Sequence, residues 1–415
     1  MRILIATDSY PPDVSGSSIF TQRLACGLAR RGHEVHLVCA SDSGPTRTLL
    51  EDGVWLHRLW SVPILIHPGV RFTPPPGVGR ALRRLLATVR PDVLHSQDHF
   101  TIGRAAMRAA DAAGVPILAT NHFLPGNLMP YVPPPVRPAL TRMVWSDFAR
   151  VYSGADRLTA PTPTAVRLTE GHLPGRAVEA VSCGVDVHRF HPRPEQTVAV
   201  RKGLGLPDVP TIGYVGRLDA EKRLDELIRA VALIARDQPV QAVLAGAGTQ
   251  AARLRQLAAE LGVSARVHLL GFVPDERLAD VYTAADVFCL PGVAELQSIA
   301  SLEAMASGLP VVLADAVALP HLVSPGVNGY LFGPGDVAGL AEALRTVLRS
   351  DPVRHAMGAA SRAMAERHAS ELTVARFEEI YAELVGAERL TRRRASPCAR
   401  RARSNCGRTP RRRSR

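Results

Sequence analysis

Short apolar runs alternate along this chain with stretches whose apolar residues return at helical spacing. Residues 2–6 and 34–40 are two such runs. Between them Leu24, Leu28 and Ala29 fall on one helix face, and Gly32-His33 ends that helix. The unit is strand, helix, strand. It continues with strands over 90–95, 115–120, 157–160 and 177–181, and helices over 79–89 and 140–151. A second series follows, with strands over 211–215, 241–245, 267–273, 285–290 and 309–314. Its helices begin at Leu224 and cover 276–282, 337–348, 352–367 and 371–385. Near-continuous apolar strands separated by helices predict buried parallel sheets. The fold class is therefore α/β, with two Rossmann-like domains facing a cleft.

The stretch Cys289–Asp315 concentrates the chemistry. Pro291 and Gly292 break a strand, Glu295 follows in the loop, and Ile299, Leu302, Met305 and Ala306 then recur at helical spacing. That places a helix start near Gln297 or Ser298, and Gly308 and Pro310 end it. Amides of Gln297, Ser298 and Ile299 at a helix N-terminus attract phosphate. Glu303 lies inside this helix among Leu302, Ala304, Met305 and Ala306, where a carboxylate needs a partner. Carboxylates repel phosphate but grip hydroxyls. Phosphate and hydroxyls together point to a sugar nucleotide.

Other strand ends add candidates, since ligands of open α/β sheets sit outside the carboxyl ends of the strands. Gly216 permits a tight exit, and Arg217 and Lys222 suit a diphosphate. Gly246-Ala247-Gly248 borders the same place, and Phe272 and Val273 close the next strand. In the first half, a loop over 8–18 contains Gly16 ahead of a helix, and Asn121-His122 leaves a strand. His95, within a strand, is expected to be structural. Thr164 is a candidate helix cap, and Leu128, Met129, Tyr131 and Val132 form an apolar, proline-rich loop. The helix over 79–89 sets Arg80, Arg83 and Arg84 opposite Leu82, Leu85, Leu86 and Val89; it is either a packed surface helix or a membrane-surface helix.

Several of these motifs resemble one family. Glu295 and Glu303, followed by Ala-Met-Ala-Ser-Gly-Leu-Pro-Val-Val, together with Gly216-Arg217-Leu218-Asp219-Ala220-Glu221-Lys222, look like retaining glycosyltransferases of the GT-B fold, family GT4. The loop ahead of the first helix, Gly-His-Glu-Val after it, and Gly184-Val185-Asp186 with Phe190 and Pro192 resemble the family's N-terminal and hinge elements. The resemblance covers roughly residues 1–388 and departs at two places. Ser17 stands for a glycine, and Leu296-Gln297-Ser298-Ile299 replaces a Gly-Phe-Gly-like segment. It implies that Arg217 and Lys222 hold the diphosphate, Glu295 the donor sugar and Glu303 the ribose. It further implies that His122 reaches the sugar from the other domain, and that the final helix crosses back to the first domain.

Charge and composition change this picture little. The net charge is +12, but eleven Arg lie in Thr391–Arg415, which contains no Asp, Glu or Lys. The rest of the chain is close to neutral, which argues against nucleic acid as the partner of the body. The tail is expected to be disordered. Six scattered cysteines show no Cys-x-x-Cys, and neither a spanning helix nor a signal peptide is expected. A cytoplasmic location, peripheral on the inner face of the membrane, fits.

The expected organisation is an acceptor-side domain over 1–190, a linker over 191–208, a nucleotide-sugar domain over 209–370, a crossover helix over 371–388 and the Arg-rich tail over 389–415. The expected activity is retaining transfer of a hexose from a UDP- or GDP-sugar to an acceptor hydroxyl, on a lipid or envelope glycan. No metal or other cofactor is expected, because no Asp-x-Asp lies beside the diphosphate candidates. The alternatives are a sugar-nucleotide 2-epimerase of the same fold and a non-catalytic sugar-nucleotide binder.

Overall fold

The structure is a computed structural model that describes residues 1–13, 15–63, 71–125 and 132–404, with side chains to residue 387. The apolar Leu128, Met129 and Tyr131 of the proline-rich loop, and the tail beyond Ser404, lie outside the described residues.

The first half contains β1 (Arg2–Ala6), α1 (Gly16–Arg30), β2 (Glu34–Ala40), β3 (Arg47–Glu51), β4 (Val54–Leu59), β5 (Val62–Pro63) and β6 (Arg71–Phe72). It continues with α2 (Pro75–Val89), β7 (Val93–Ser96), α3 (Thr101–Ala113), β8 (Ile117–Thr120), α4 (Arg137–Tyr152), β9 (Arg157–Ala160), α5 (Pro163–Glu170) and β10 (Val178–Ala180). Eight strands form one sheet in the order β10-β9-β8-β7-β1-β2-β4-β3. All neighbours are parallel except the edge pair β3–β4.

The second half contains α6 (Thr197–Gly203), β11 (Thr211–Val215), α7 (Leu224–Ile234), β12 (Gln241–Ala245), α8 (Ala251–Glu260), β13 (Val267–Gly271) and α9 (Leu278–Ala284). Then come β14 (Val287–Leu290), α10 (Ile299–Ala306), β15 (Val311–Ala314), β16 (Gly329–Phe332), α11 (Val337–Leu348), α12 (Asp351–Glu366) and α13 (Ser370–Ser404). Its six-stranded sheet is wholly parallel, in the order β13-β12-β11-β14-β15-β16.

Each sheet is covered on both faces, as parallel strands require. In the first domain α2, α3 and α4 bury Leu82, Leu86, Ile102, Ala106 and Phe148 on one face. On the other, α1 contributes Phe20, Leu24 and Leu28, and α13 contributes Phe377, Ile380, Tyr381 and Leu384. The last helix thus crosses from the second domain back to the first. Two crossings of the chain run side by side. Val185 donates its amide to His368 O at 2.8 Å, and Ser370 donates its amide to Val185 O at 2.9 Å. Gly184 has a positive φ of 77°, and a Cβ there would lie 2.8 Å from Thr373 Oγ1. This close crossing requires glycine.

Several expectations change. Thr162, not Thr164, caps α5, accepting from the Ala165 amide at 3.1 Å. It is the residue whose extended backbone aims its hydroxyl at the helix amides. α10 begins at Ile299 with Ser298 as its cap, so Gln297 stays in the loop. α13 continues to Ser404, into the stretch expected to lack structure; Arg and Ala are strong helix formers and extend the preceding turns. The apolar side of α2 is buried in the core, so only its basic side faces outward. His95 is fully buried, between Tyr381 Oη at 2.7 Å and Thr120 Oγ1 at 2.6 Å, as a structural residue should be.

Candidate active site

In each sheet the strand order reverses once. In the second domain the chain steps from β11 to β12 and β13 on one side, then returns to β14 on the other. The carboxyl ends of β11 and β14 at this reversal are where open α/β sheets place their ligand crevice. Arg217 and Lys222 come from the loop after β11 and Glu295 from the loop after β14.

Carboxylates hold both cations. Arg217 Nη1 lies 2.5 Å from Asp219 Oδ2 and its Nη2 lies 2.6 Å from Glu221 Oε1. Asp219 and Glu221 are almost fully buried, whereas about a third of the Arg217 side chain is exposed. The guanidinium is thus held by both carboxylates while still reaching solvent. Asp219 Oδ1 also accepts from the Thr249 amide and hydroxyl, each at 2.9 Å, lashing the β11 exit to the β12 exit. Glu221 O accepts from the Val293 amide at 3.1 Å, tying in the β14 exit. Lys222 Nζ is ion-paired with Glu295 Oε1 beside Gly292, and both side chains are mostly buried.

Gly216 and Gly246 play a different part. A Cβ on Gly246 would land on the Gly216 carbonyl, and one on Gly248 would lie 2.5 Å from Leu218 backbone. These glycines let the two strand exits press together, which shapes the mouth. At the far side Phe272 is 64% exposed and Val273 packs against a small core beneath β12.

Glu303 is buried, and both its oxygens have partners. Tyr282 Oη donates to Oε2 at 2.8 Å, and Arg23 Nη2 donates to Oε1 at 2.6 Å. Tyr282 is on α9 of the same domain; Arg23 comes from α1 of the other.

The loop ahead of α10 is also held from across the cleft. Leu296 is buried in the first domain's core, and its carbonyl accepts from Thr162 Oγ1 at 2.9 Å. Ile299 packs on the first domain, and its Cδ1 would lie 3.9 Å from a Cβ on Gly16. Gln297 Oε1 accepts from the Cys183 amide at 2.7 Å, and its Nε2 donates to Ser182 Oγ at 3.1 Å. Ser298 Oγ accepts from the Ser301 amide at 3.1 Å. Without a Gly-Phe-Gly-like segment, the loop takes its shape from side-chain bonds to the interdomain crossing.

From the first domain, His122 lies beside Phe20, with ring centroids 4.8 Å apart. Burial pulls its pKa down to about 4, so the ring is neutral near pH 7. Its Nε2 lies 2.9 Å from Gln97 Oε1, which places the proton on Nε2 and leaves Nδ1 an acceptor. Nearby, at the reversal between β1 and β7, Asp8 accepts from the Ile102 and Gly103 amides opening α3, at 3.0 and 3.3 Å. Burial and then the neighbouring Asp98 push its carboxyl well above the usual range.

Arg23, Tyr282, Gln97, Asp219 and Glu221 belong to this site and carry no sequence expectation. The two acids stood in the Gly216–Lys222 motif and could have been found as the counter-charges an isolated Arg needs. Arg23 and Tyr282 lie in ordinary amphipathic helices and offer no local signal.

Two Rossmann-like domains, with paired cations at the strand-order reversal of the second, have the architecture of the GT-B fold. Comparison with known proteins agrees. The profile of glycosyltransferase family 4 matches residues 14–189, and that of glycosyl transferases group 1 matches residues 199–364. A GDP-mannose-dependent alpha-mannosyltransferase of Mycobacterium tuberculosis is 34% identical over 81% of this chain and 85% of its own length. A D-inositol 3-phosphate glycosyltransferase of Saccharomonospora viridis is 31% identical over 91% of each chain. Among solved structures, sucrose-phosphate synthase from Thermosynechococcus elongatus superposes with a TM-score of 0.77 at 22% identity, over 93% of this chain and 99% of that one. Anabaena Alr3699/HepE, in complex with UDP and glucose, superposes with 0.72 at 20% identity, over 92% and 100%. The chain belongs to glycosyltransferase family 4 and is a glycosyltransferase.

Gln297→Ala should release the loop from the crossing strand. Steady-state kinetics are expected to show turnover lowered by about ten- to a hundredfold, the scale of a small misplacement, with little change in melting temperature. Unchanged turnover would show that the loop holds its shape without this bond.

Proposed function

We propose that this protein is a retaining hexosyltransferase that uses a UDP- or GDP-sugar without a metal. GDP-mannose is the first donor to try, because two relatives, 34% and 32% identical, are named as GDP-mannose-dependent. The observation that carries the reading is the pairing of both crevice cations with fixed carboxylates at the strand-order reversal. On this reading Arg217 and Lys222 take the diphosphate. Their charge is in place before the bond to the sugar breaks, so it stabilises the developing negative charge without reorganisation. Glu295 holds sugar hydroxyls and keeps Lys222 aimed. Glu303 accepts from the ribose hydroxyls. The neutral His122 accepts a sugar hydroxyl at Nδ1 from the opposite wall, and Gly16 lets the α1 loop approach the phosphates. Gln297, Ser298 and Ile299 place the α10 terminus beside them, and Gly216, Gly246 and Gly248 frame the mouth. Phe272 and Val273 border the base. The incoming hydroxyl attacks from the face that the diphosphate leaves, and a phosphate oxygen takes its proton.

The acceptor is proposed to be a lipid or envelope glycan, met at an anionic inner membrane surface. Arg80, Arg83 and Arg84 face outward on α2, and Arg108 does so on α3. Between these helices runs a groove of about 590 Å³, lined by Arg83, Arg108, Val78 and the exposed Phe100. Among the described residues no helix is long and apolar enough to cross a membrane, so contact would be electrostatic and superficial.

Replacing Arg217 or Lys222 with Met should lower kcat by about a hundredfold or more, with a smaller loss of nucleotide affinity. Equal losses in both would contradict the transition-state role. Changing Arg80, Arg83 and Arg84 together to Gln should weaken co-sedimentation with phosphatidylglycerol vesicles at low salt. Binding equal to wild type would remove α2 from the membrane proposal.

A further inference from the structure

In this structure Glu303 is not open to a ribose. Its side chain is only 4% exposed, and each oxygen already accepts a hydrogen bond. The two partners differ in one respect that matters. Tyr282 rides on the same domain as Glu303 and stays with it when the cleft opens. Arg23 rides on α1 and leaves.

Arg23 is also incompletely satisfied where it sits. Its Nη2 meets Glu303, but its Nη1 is buried with no hydrogen-bond partner. A guanidinium normally grips a carboxylate with two parallel bonds. Here it offers one and leaves the other donor desolvated, which weakens the pair. Its guanidinium carbon lies 5.9 Å from the centre of the Phe190 ring, on the chain segment that joins the domains. Arg189 lies over the same ring at 4.8 Å and is ion-paired with Asp275.

We propose that Arg23 gates the nucleotide site: it holds Glu303 Oε1, one of the carboxylate oxygens that the ribose hydroxyls require, and shuts the carboxylate off from solvent, so that the Arg23–Glu303 pair and ribose binding exclude each other. The inference rests on the assignment of Glu303 to the ribose. Nucleotide entry then requires α1 to move away from α10, which couples ribose recognition to opening of the cleft. A ligand that competes with an internal partner binds more weakly by the fraction of protein in which the site is free. Arg23 is therefore a positioning residue that lowers affinity for the nucleotide, and nucleotides without ribose hydroxyls are indifferent to it.

The test is calorimetric titration of the full chain with GDP or UDP, whichever the wild type binds, and with the same nucleotide lacking both ribose hydroxyls. Arg23→Gln is expected to raise affinity for the complete nucleotide by about tenfold and to leave the 2′,3′-dideoxy form unchanged. Arg23→Lys, which keeps the charge, should stay near wild type. Melting curves check that each variant is folded. Unchanged affinity in Arg23→Gln would overturn the gate. Weaker binding would also overturn it, making Arg23 a direct nucleotide ligand. Glu303→Gln in the Arg23→Gln background, where no gate remains, separates the two levels. If it binds both nucleotides as Arg23→Gln does, the ribose assignment itself is wrong, and the gate falls with it.

Discussion

Two cations can serve a diphosphate only if they wait in place, and in this protein acid groups keep them there. Arg217 is gripped by Asp219 and Glu221, and Lys222 by Glu295. The Asp219 carboxylate ties the β11 exit to the β12 exit, and the Glu221 backbone carbonyl ties it to the β14 exit. The crevice and its charge are thus one construction. A loose Arg at a strand end would lose side-chain entropy on each binding event and would be screened by water. Fixed by buried partners, it presents a preorganised field.

The second constraint is that neither domain completes the site alone. The loop between β14 and α10 borrows its shape from the first domain through Leu296 and Thr162, and from the crossing strand through Gln297. Glu303 borrows a counter-charge from α1. α13 returns to the first domain and buries Phe377 and Tyr381 against the face that α1 covers. On the proposed reading, relative motion of the domains would act on the donor site directly, through these interdomain bonds. This fits an enzyme that must exclude water while a sugar changes partners.

Much of the fold was legible in the sequence because parallel strands are nearly uniform apolar runs. β2, β12 and α11 fall where periodicity put them. The β3–β4 hairpin did not show itself, because its strands alternate: Leu50 and Trp55 are exposed while Val54 and Leu56 are buried. Its Asp52-Gly53 turn, with both residues at positive φ, was the missed signal. Of the candidate site, Arg217, Lys222, Glu295 and Glu303 could be proposed from the sequence because each sits in a local motif at a strand exit or in an apolar helix. Arg23 was not. Its partner is 280 positions away, and nothing in a helix sequence records a contact with another domain. Gln297 looked like a departure from the family, and only the Cys183 amide shows what it replaces.

On the proposed reading the nucleotide-diphosphate site is built from cations rather than a metal. The most direct measurement is thermal unfolding of the full chain with GDP, UDP, ADP or TDP, each in the presence of EDTA. A ligand specific to the native state raises the melting temperature by mass action. A rise of several degrees is expected with GDP or UDP at about a hundredfold excess over Kd, undiminished by EDTA. No rise with any nucleotide, or a rise that EDTA abolishes, would contradict it.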